Sequence, residues 1–230
     1  MMNLRKATSR SALALLTVAV MSTATLAADL SRYRNFELGA DLATIAKQTD
    51  TNVAQAKVIH SRPALIQELQ WSPQPLGLSS MSEAAKAVVF SFYNGKLFRV
   101  TVDYDRYKTE GLTTDDFAEA ISAVYGVATK PAVSSTATPG TYGERQDVVA
   151  QWQDSQYRFD LIRSSYGPTF QLVGTMKSLE TSATAATAEA KRLDDQEAPQ
   201  REAARLAGEE LAAKTKLEEA RLVNKPKFRP

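Results

Sequence analysis

The chain has no cysteine and a single histidine, His60, near the end of a predicted strand. Without cysteine there is no disulfide or thiol nucleophile, so the fold must be held together by its own apolar core. A catalytic base or metal site built on His60 would lack a second histidine or cysteine as partner. A Gly-x-Ser-x-Gly elbow, a phosphate loop and a Gly-x-Gly-x-x-Gly fingerprint are also absent. We therefore predict no catalytic residue, no metal site and no cofactor.

One acidic stretch, DYDRYKTEGLTTDD from Asp103, invites a calcium interpretation. An EF-hand loop needs an oxygen ligand at its fifth position and glycine at its sixth. Tyr107 and Lys108 stand there, so we interpret the stretch as strand end, turn and helix cap. Paired carboxylates for hydrolysis stay open in a chain with 26 acidic residues, although nothing singles out a pair.

Long apolar runs are scarce. Arg5, Lys6 and Arg10 precede an apolar run over residues 11–21, and small residues lead to an expected cut after Ala27. This is the layout of a secretory signal, and the run is about half of the roughly 20 residues that a membrane span needs. We expect export to the periplasm or secretion of a protein with no integral membrane span. No cysteine follows the cut, so we do not expect a lipid-anchored lipoprotein.

The basic excess lies mostly in this signal. The whole chain has 28 basic and 26 acidic residues, but three of the basic ones and none of the acidic ones precede residue 28. The exported chain would hold 25 against 26. A nucleic-acid partner, which calls for a basic surface, is not expected.

Residues 28–177 alternate helical and strand patterns. A helix is predicted over 38–48 with Gly39 as its N-cap, then strands over 53–60 and 65–71 and a hairpin over 90–104. A second helix follows Thr113, a surface loop is predicted over 127–143, and three more strands end near residue 176. Strands joined by short turns favour an α+β domain with an antiparallel sheet of about four plus three strands and helices on one face.

The hairpin FSFYNGKLFRVTVDY allows two turns. A two-residue turn on Asn94-Gly95 divides the apolar residues between both faces, whereas a three-residue loop over 93–95 with left-handed Gly95 gathers them on one. We predict the three-residue loop, which places Phe98 in the core with Val88, Phe90, Phe92, Val100, Val102 and Tyr104.

The second helix carries the clearest local signals. Thr113 and Asp116 form a capping box, Phe117, Ile121 and Val124 form the buried stripe, and Gly126 ends the helix. Further on, a two-residue turn at Asp154-Ser155 is predicted to pair Trp152 with Tyr157, Ala150 with Phe159 and Val148 with Leu161. Phe170, Leu172 and Met176 are expected to point inward.

From residue 178 the composition turns to Ala, Glu, Lys and Arg. We predict a charged helical extension over 178–224, broken near Pro199, and a basic tail over 225–230. Two favourable pairs are predicted at spacing four, Glu197 with Arg201 and Glu210 with Lys214. A heptad seam runs through Leu179, Ala183, Ala186, Ala190 and Leu193, and a second helix carries Leu206, Ala213, Leu217 and Ala220. The extension could dock on its own domain or pair with another helix, and both remain open.

The hairpin face opposite the core is the candidate binding surface. It would present Tyr93, Leu97, Arg99 and Thr101, followed by Asp103, and Tyr and Arg are favoured at protein contacts. The leading hypothesis is a non-catalytic exported protein that binds another envelope protein or associates with itself through the C-terminal helices. The alternative is a small-ligand-binding protein or a hydrolase that uses acidic and tyrosine side chains around the sheet.

Three stretches, FELGADLATIAKQ, FSFYNGKLFRVTVDYD and LTTDDFAEAISAVYG, resemble the helix-then-sheet module of the β-lactamase inhibitor protein family and of small outer-membrane assembly lipoproteins. The resemblance implies two tandem units over roughly residues 36–176, the second one strand short. The chain is also similar to exported bacterial proteins that end in a charged helix and a basic tail. Neither resemblance supplies an activity or a functional residue.

Overall fold

The computed structural model of the chain describes residues 29–73, 84–129, 135–137, 145–164 and 169–229. The predicted export signal, residues 1–27, lies outside the described residues. The elements are β1 (Arg32–Tyr33), β2 (Phe36–Glu37), α1 (Leu42–Gln48), β3 (Lys57–His60), β4 (Ile66–Trp71), β5 (Ala85–Tyr93), β6 (Lys96–Tyr104), α2 (Thr114–Tyr125), β7 (Ser135–Ala137), β8 (Arg145–Gln153), β9 (Tyr157–Ser164), β10 (Phe170–Met176) and α3 (Lys177–Asn224).

The predicted α+β class with an antiparallel sheet is confirmed. Eight strands pair antiparallel in the order β3-β4-β5-β6-β10-β9-β8-β7, and β1 and β2 form a separate two-stranded ribbon. The order divides into two units, α1 with β3–β6 and α2 with β7–β10, which meet where β6 pairs with β10. The second unit is not one strand short, because β7 lies inside the segment predicted as a loop and pairs with β8.

The main core lies between α1, α2 and one face of the sheet, which we call the inner face. Side chains alternate along each strand, so residues such as Val88, Phe90, Val100 and Val102 all point to this side. Aromatic pairs connect helix and sheet: α2 stacks Phe117 on Phe170 with ring centroids 4.1 Å apart. Such pairs add roughly 0.5–1.5 kcal/mol beyond the area they bury.

The hairpin turn differs from the prediction. Tyr93 pairs with Lys96 across a two-residue turn, in which Asn94 and Gly95 both have positive φ, 48° and 79°. The extra residue lies within β6 instead, because Phe92 pairs with Leu97 and Ser91 with Arg99. This bulge gathers the apolar residues on the inner face as predicted, but through Leu97 and not Phe98.

The capping residues of α1 and α2 set where these helices begin. Thr113 accepts a hydrogen bond from the Asp116 backbone N–H, and its own N–H donates to the Asp116 carboxylate at 2.7 Å, which lowers the pKa of that carboxyl. The predicted capping box is therefore confirmed. Tyr125 completes the buried stripe, whereas Val124, predicted for that place, is 66% exposed. The N-cap of α1 is Asp41 and not Gly39, and only 57–60 of the first predicted strand is extended.

The hairpin of β8 and β9 has a longer turn than predicted. Trp152 pairs with Phe159 and Ala150 with Leu161, an offset of two residues from the predicted register. A register shift between Val148 and Ala150 then pairs Val148 with Ile162, so the predicted pair of Val148 with Leu161 is wrong. Because the offset is even, Ala150, Trp152 and Leu161 stay on the inner face. Phe170 and Leu172 point inward as expected, with Met176 at the edge of the same core.

α3 is one helix of 48 residues and does not break at Pro199. Proline removes one backbone hydrogen bond from the preceding turn. Here the Arg201 guanidinium donates to the backbone oxygen of Asp194 at 2.9 Å, next to that gap. Glu210 pairs with Lys214 as predicted, whereas Arg201 pairs with Asp194 and not with Glu197.

We expect Gly174→Ala to destabilise the domain by roughly 1–3 kcal/mol, the usual cost of overpacking a core. A Cβ at Gly174 would lie 2.4 Å from the ring of Phe159, which is itself buried. Urea unfolding followed by tryptophan fluorescence measures the change. Gly208→Ala, where a Cβ meets open space on an exposed helix, is the control; it favours its own helix and should not lower the midpoint. Equal midpoints for both variants would contradict the packing argument.

Candidate interaction surface on the outer face of the sheet

The outer face of the sheet, opposite α1 and α2, is where the sequence predicts binding. Three of the four predicted residues, Tyr93, Arg99 and Thr101, lie on this face, as does Asp103. Leu97 does not, because the bulge in β6 turns it into the main core, where it is fully buried. Its predicted place on the binding surface is wrong, and Phe98 takes that place.

The chain itself occupies part of this surface. The first part of α3, residues 177–197, docks on the outer face and is called the docked half below. A small cluster of Ile66, Phe98 and Ala183 forms the contact, with Tyr93 and Leu179 packed at its border. Ala186 and Ala190 are buried as well. The docking alternative is therefore what the structure shows for this part of the extension.

Glu180 connects the docked half to two strands. Its carboxylate accepts hydrogen bonds from Arg99 of β6 at 2.6 Å and from Arg158 of β9 at 3.1 Å. Arg158 also pairs with Asp160 at 2.9 Å, and Asp160 accepts a hydrogen bond from Gln151 at 2.6 Å. Glu180 is 17% exposed, so water screens these pairs less than it screens surface ion pairs.

Thr175 of β10 lies between the two arginines. It is the cross-strand neighbour of Arg99 on one side and of Arg158 on the other. Its side chain is fully buried, and its hydroxyl has no hydrogen-bond partner among the described residues. A buried hydroxyl without a partner reduces stability.

A second, more exposed ion pair lies at the far end of the docked half. The Arg62 guanidinium donates to Glu197 at 2.8 Å and lies 3.7 Å from Asp194. The hydrogen bond from Arg62 lowers the pKa of the Glu197 carboxyl and raises that of the guanidinium. His60 borders the hollow beside this ion pair. In the part of the chain that the structure describes, no group of three or more His, Cys, Asp or Glu residues could hold a metal ion.

Beside the docked half there is a shallow groove of about 370 Å³. Its lining is mostly apolar and includes Phe98, Ala183 and Ala188 together with the basic residues Arg99 and Lys191. Arg99 is paired with Glu180 and Lys191 with Asp195. Thr187 lines it as well and is exposed. The groove is the part of the predicted binding surface that α3 borders but does not fill.

The other end of the outer face is not covered by α3. Asp103 accepts a hydrogen bond from Gln171 at 2.7 Å there. With Ile162 and Phe170, these residues line a hollow of about 400 Å³. Thr101 belongs to the same open part and is half-buried.

We expect Glu180→Gln to destabilise the docked half by about 1–2 kcal/mol, because two partly buried guanidinium groups lose their shared counter-charge. Hydrogen exchange of the amides of residues 177–190 measures this, and their protection should fall. Glu189→Gln is the control, since Glu189 pairs with Arg192 on the surface of the same helix and such pairs contribute little. Unchanged protection in Glu180→Gln would contradict the bridging role.

Thr175→Val should stabilise the protein by about 1 kcal/mol, because it replaces a buried hydroxyl that has no partner by a methyl group of similar size. Thermal unfolding by calorimetry measures the gain. Thr101→Val, at a half-buried position of the neighbouring strand, should leave the unfolding temperature almost unchanged. A lower unfolding temperature for Thr175→Val would show that the hydroxyl is satisfied in the folded protein.

Among the described residues no helix is long and apolar enough to cross a membrane.

Comparison with known proteins finds no relative of the chain. No protein-family model, no curated protein and no solved structure matches the chain at a significant level.

Proposed function

We propose that the protein is a non-catalytic, exported protein that binds another protein of the cell envelope, and that the groove beside the docked half is its binding site. The observation that carries this proposal is the composition of the groove, a mostly apolar lining that includes the basic residues Arg99 and Lys191. Arg99, which the sequence predicts as a binding residue, lines this accessible groove.

The partner chemistry follows from these residues. Phe98, Ala183 and Ala188 leave room for an apolar side chain, and small residues allow another helix to approach closely. Arg99 is paired with Glu180, and Lys191 is paired with Asp195 at the surface of the helix. The exposed Lys191 would exchange Asp195 for a carboxylate on the partner, which orients the contact. We therefore expect a helical segment that carries an apolar side chain next to an acidic one.

A small-ligand-binding protein is the second candidate. The hollow at Asp103 and Gln171, of about 400 Å³, falls within the usual range of roughly 300–1,000 Å³ for ligand pockets. A hydrolase would use the same acidic side chain. These functions predict that substitutions at Asp103, and not in the groove, abolish binding.

The test uses two matched substitutions in α3. Thr187→Arg fills the groove, whereas Thr181→Arg adds the same side chain at an exposed position away from it. Both threonine hydroxyls donate to the carbonyl four residues earlier, at 2.8 and 2.9 Å. The two changes should therefore have similar effects on the helix.

The chain from residue 28 onward serves as bait in a periplasmic extract, and the captured protein is then purified for titration calorimetry. We expect Thr187→Arg to weaken its affinity at least tenfold, and Thr181→Arg to leave it within about twofold, because only the first change fills the groove. Equal affinity of both variants would overturn the groove proposal. A small molecule that raises the unfolding temperature in an Asp103-dependent manner, with no protein retained, would favour the second candidate.

A further inference from the structure

The last residues of the chain combine positive charge with exposed apolar side chains. We call residues 198–220 the arm and residues 221–229 the tip. The tip contains Arg221, Lys225, Lys227 and Arg229 and no acidic residue. Three of its large apolar side chains are exposed, namely Leu222 (66%), Val223 (55%) and Phe228 (76%).

The arm separates these cations from the rest of the protein. Every residue of the arm is exposed, and at 1.5 Å per residue the arm spans about 35 Å. Its helix is supported by ion pairs along its surface, among them Arg205 with Glu202 and Lys214 with Glu210. Such pairs support a helix that has no tertiary contacts.

The charge is distributed unevenly along the molecule. From residue 28 onward there are 25 basic and 26 acidic residues, and four of the basic ones are in the tip. The domain and arm together therefore carry an acidic excess of five. Arg221 pairs with Glu218 of the arm at 3.0 Å, so the positive charge of the tip rests mainly on Lys225, Lys227 and Arg229. At physiological salt, charges more than about 8 Å apart are largely screened from one another, so an arm of this length separates these cations from the acidic domain.

We propose that the tip binds an anionic lipid surface and that the arm holds the acidic domain away from it. Cations near a surface are attracted by anionic headgroups, and apolar side chains enter the boundary between headgroups and acyl chains. A nucleic acid backbone would attract only the cations of the tip and would leave the apolar side chains Leu222, Val223 and Phe228 without a contact.

The test is sedimentation of the chain from residue 28 onward with phospholipid vesicles. Vesicles of phosphatidylcholine alone are compared with vesicles that also contain phosphatidylglycerol, at low and at physiological salt. We expect binding to the anionic vesicles only, weakened by salt. The double change Lys225→Gln and Lys227→Gln should reduce partitioning about tenfold or more, since each cation contributes separately.

The matched control is Lys214→Gln with Lys216→Gln, which removes the same charge from the arm and should change partitioning no more than about threefold. Phe228→Ala should weaken binding at physiological salt, where the apolar contribution remains. Equal losses in both double variants, or equal binding to neutral vesicles, would overturn the proposal. If polyglutamate binds the chain as tightly as the vesicles do, and Phe228→Ala leaves both affinities unchanged, the tip binds an acidic partner and not a lipid surface. Thr187→Arg should leave vesicle binding unchanged, so this outcome and that of the groove are independent.

Discussion

The pairing of β6 with β10 is the contact on which the other parts of the protein depend. It joins two four-stranded units, each of which would otherwise end in a strand with unpaired backbone groups. On the inner side the pair places Val100 beside Gly174, where the absent side chain makes room for Phe159. On the outer side it places Arg99 beside Thr175 and so brings the two arginines within reach of one carboxylate. Both faces of the sheet are therefore organised by the same ladder.

The docking of α3 follows from that ladder. The helix begins at Lys177, directly after β10 ends at Met176, so the strand sets where the helix starts. Its buried side chains are mainly alanines, which contribute little apolar area, and two sets of arginine–carboxylate contacts near its ends supplement them. Larger apolar side chains on this helix face would bury more apolar area against the sheet and bind it more strongly.

Much of the architecture could be predicted from short-range signals. The capping box at Thr113, the alternation in β10 and the antiparallel hairpins depend on residues close in sequence, and each is found, although the registers of the two hairpins differ from the prediction. The errors come from distant contacts or from irregular pairing. Leu97 and Phe98 exchange faces because the bulge lies within β6, which no turn residue marks. Nothing in the sequence around Glu180 marks it as a binding residue, since its partners Arg99 and Arg158 lie in strands distant in the sequence. Pro199 predicted a break because proline lacks a backbone donor, yet α3 is continuous through it.

The continuity of α3 has a mechanical consequence. One helix runs from the docked half, past Pro199, to Asn224 in the tip, so a change of its angle at the outer face would be carried along its length. An arm of about 35 Å converts a tilt of roughly 10° at the docked half into a displacement of about 6 Å at its end. Any partner that displaces the docked half would therefore reorient the domain relative to whatever holds the tip.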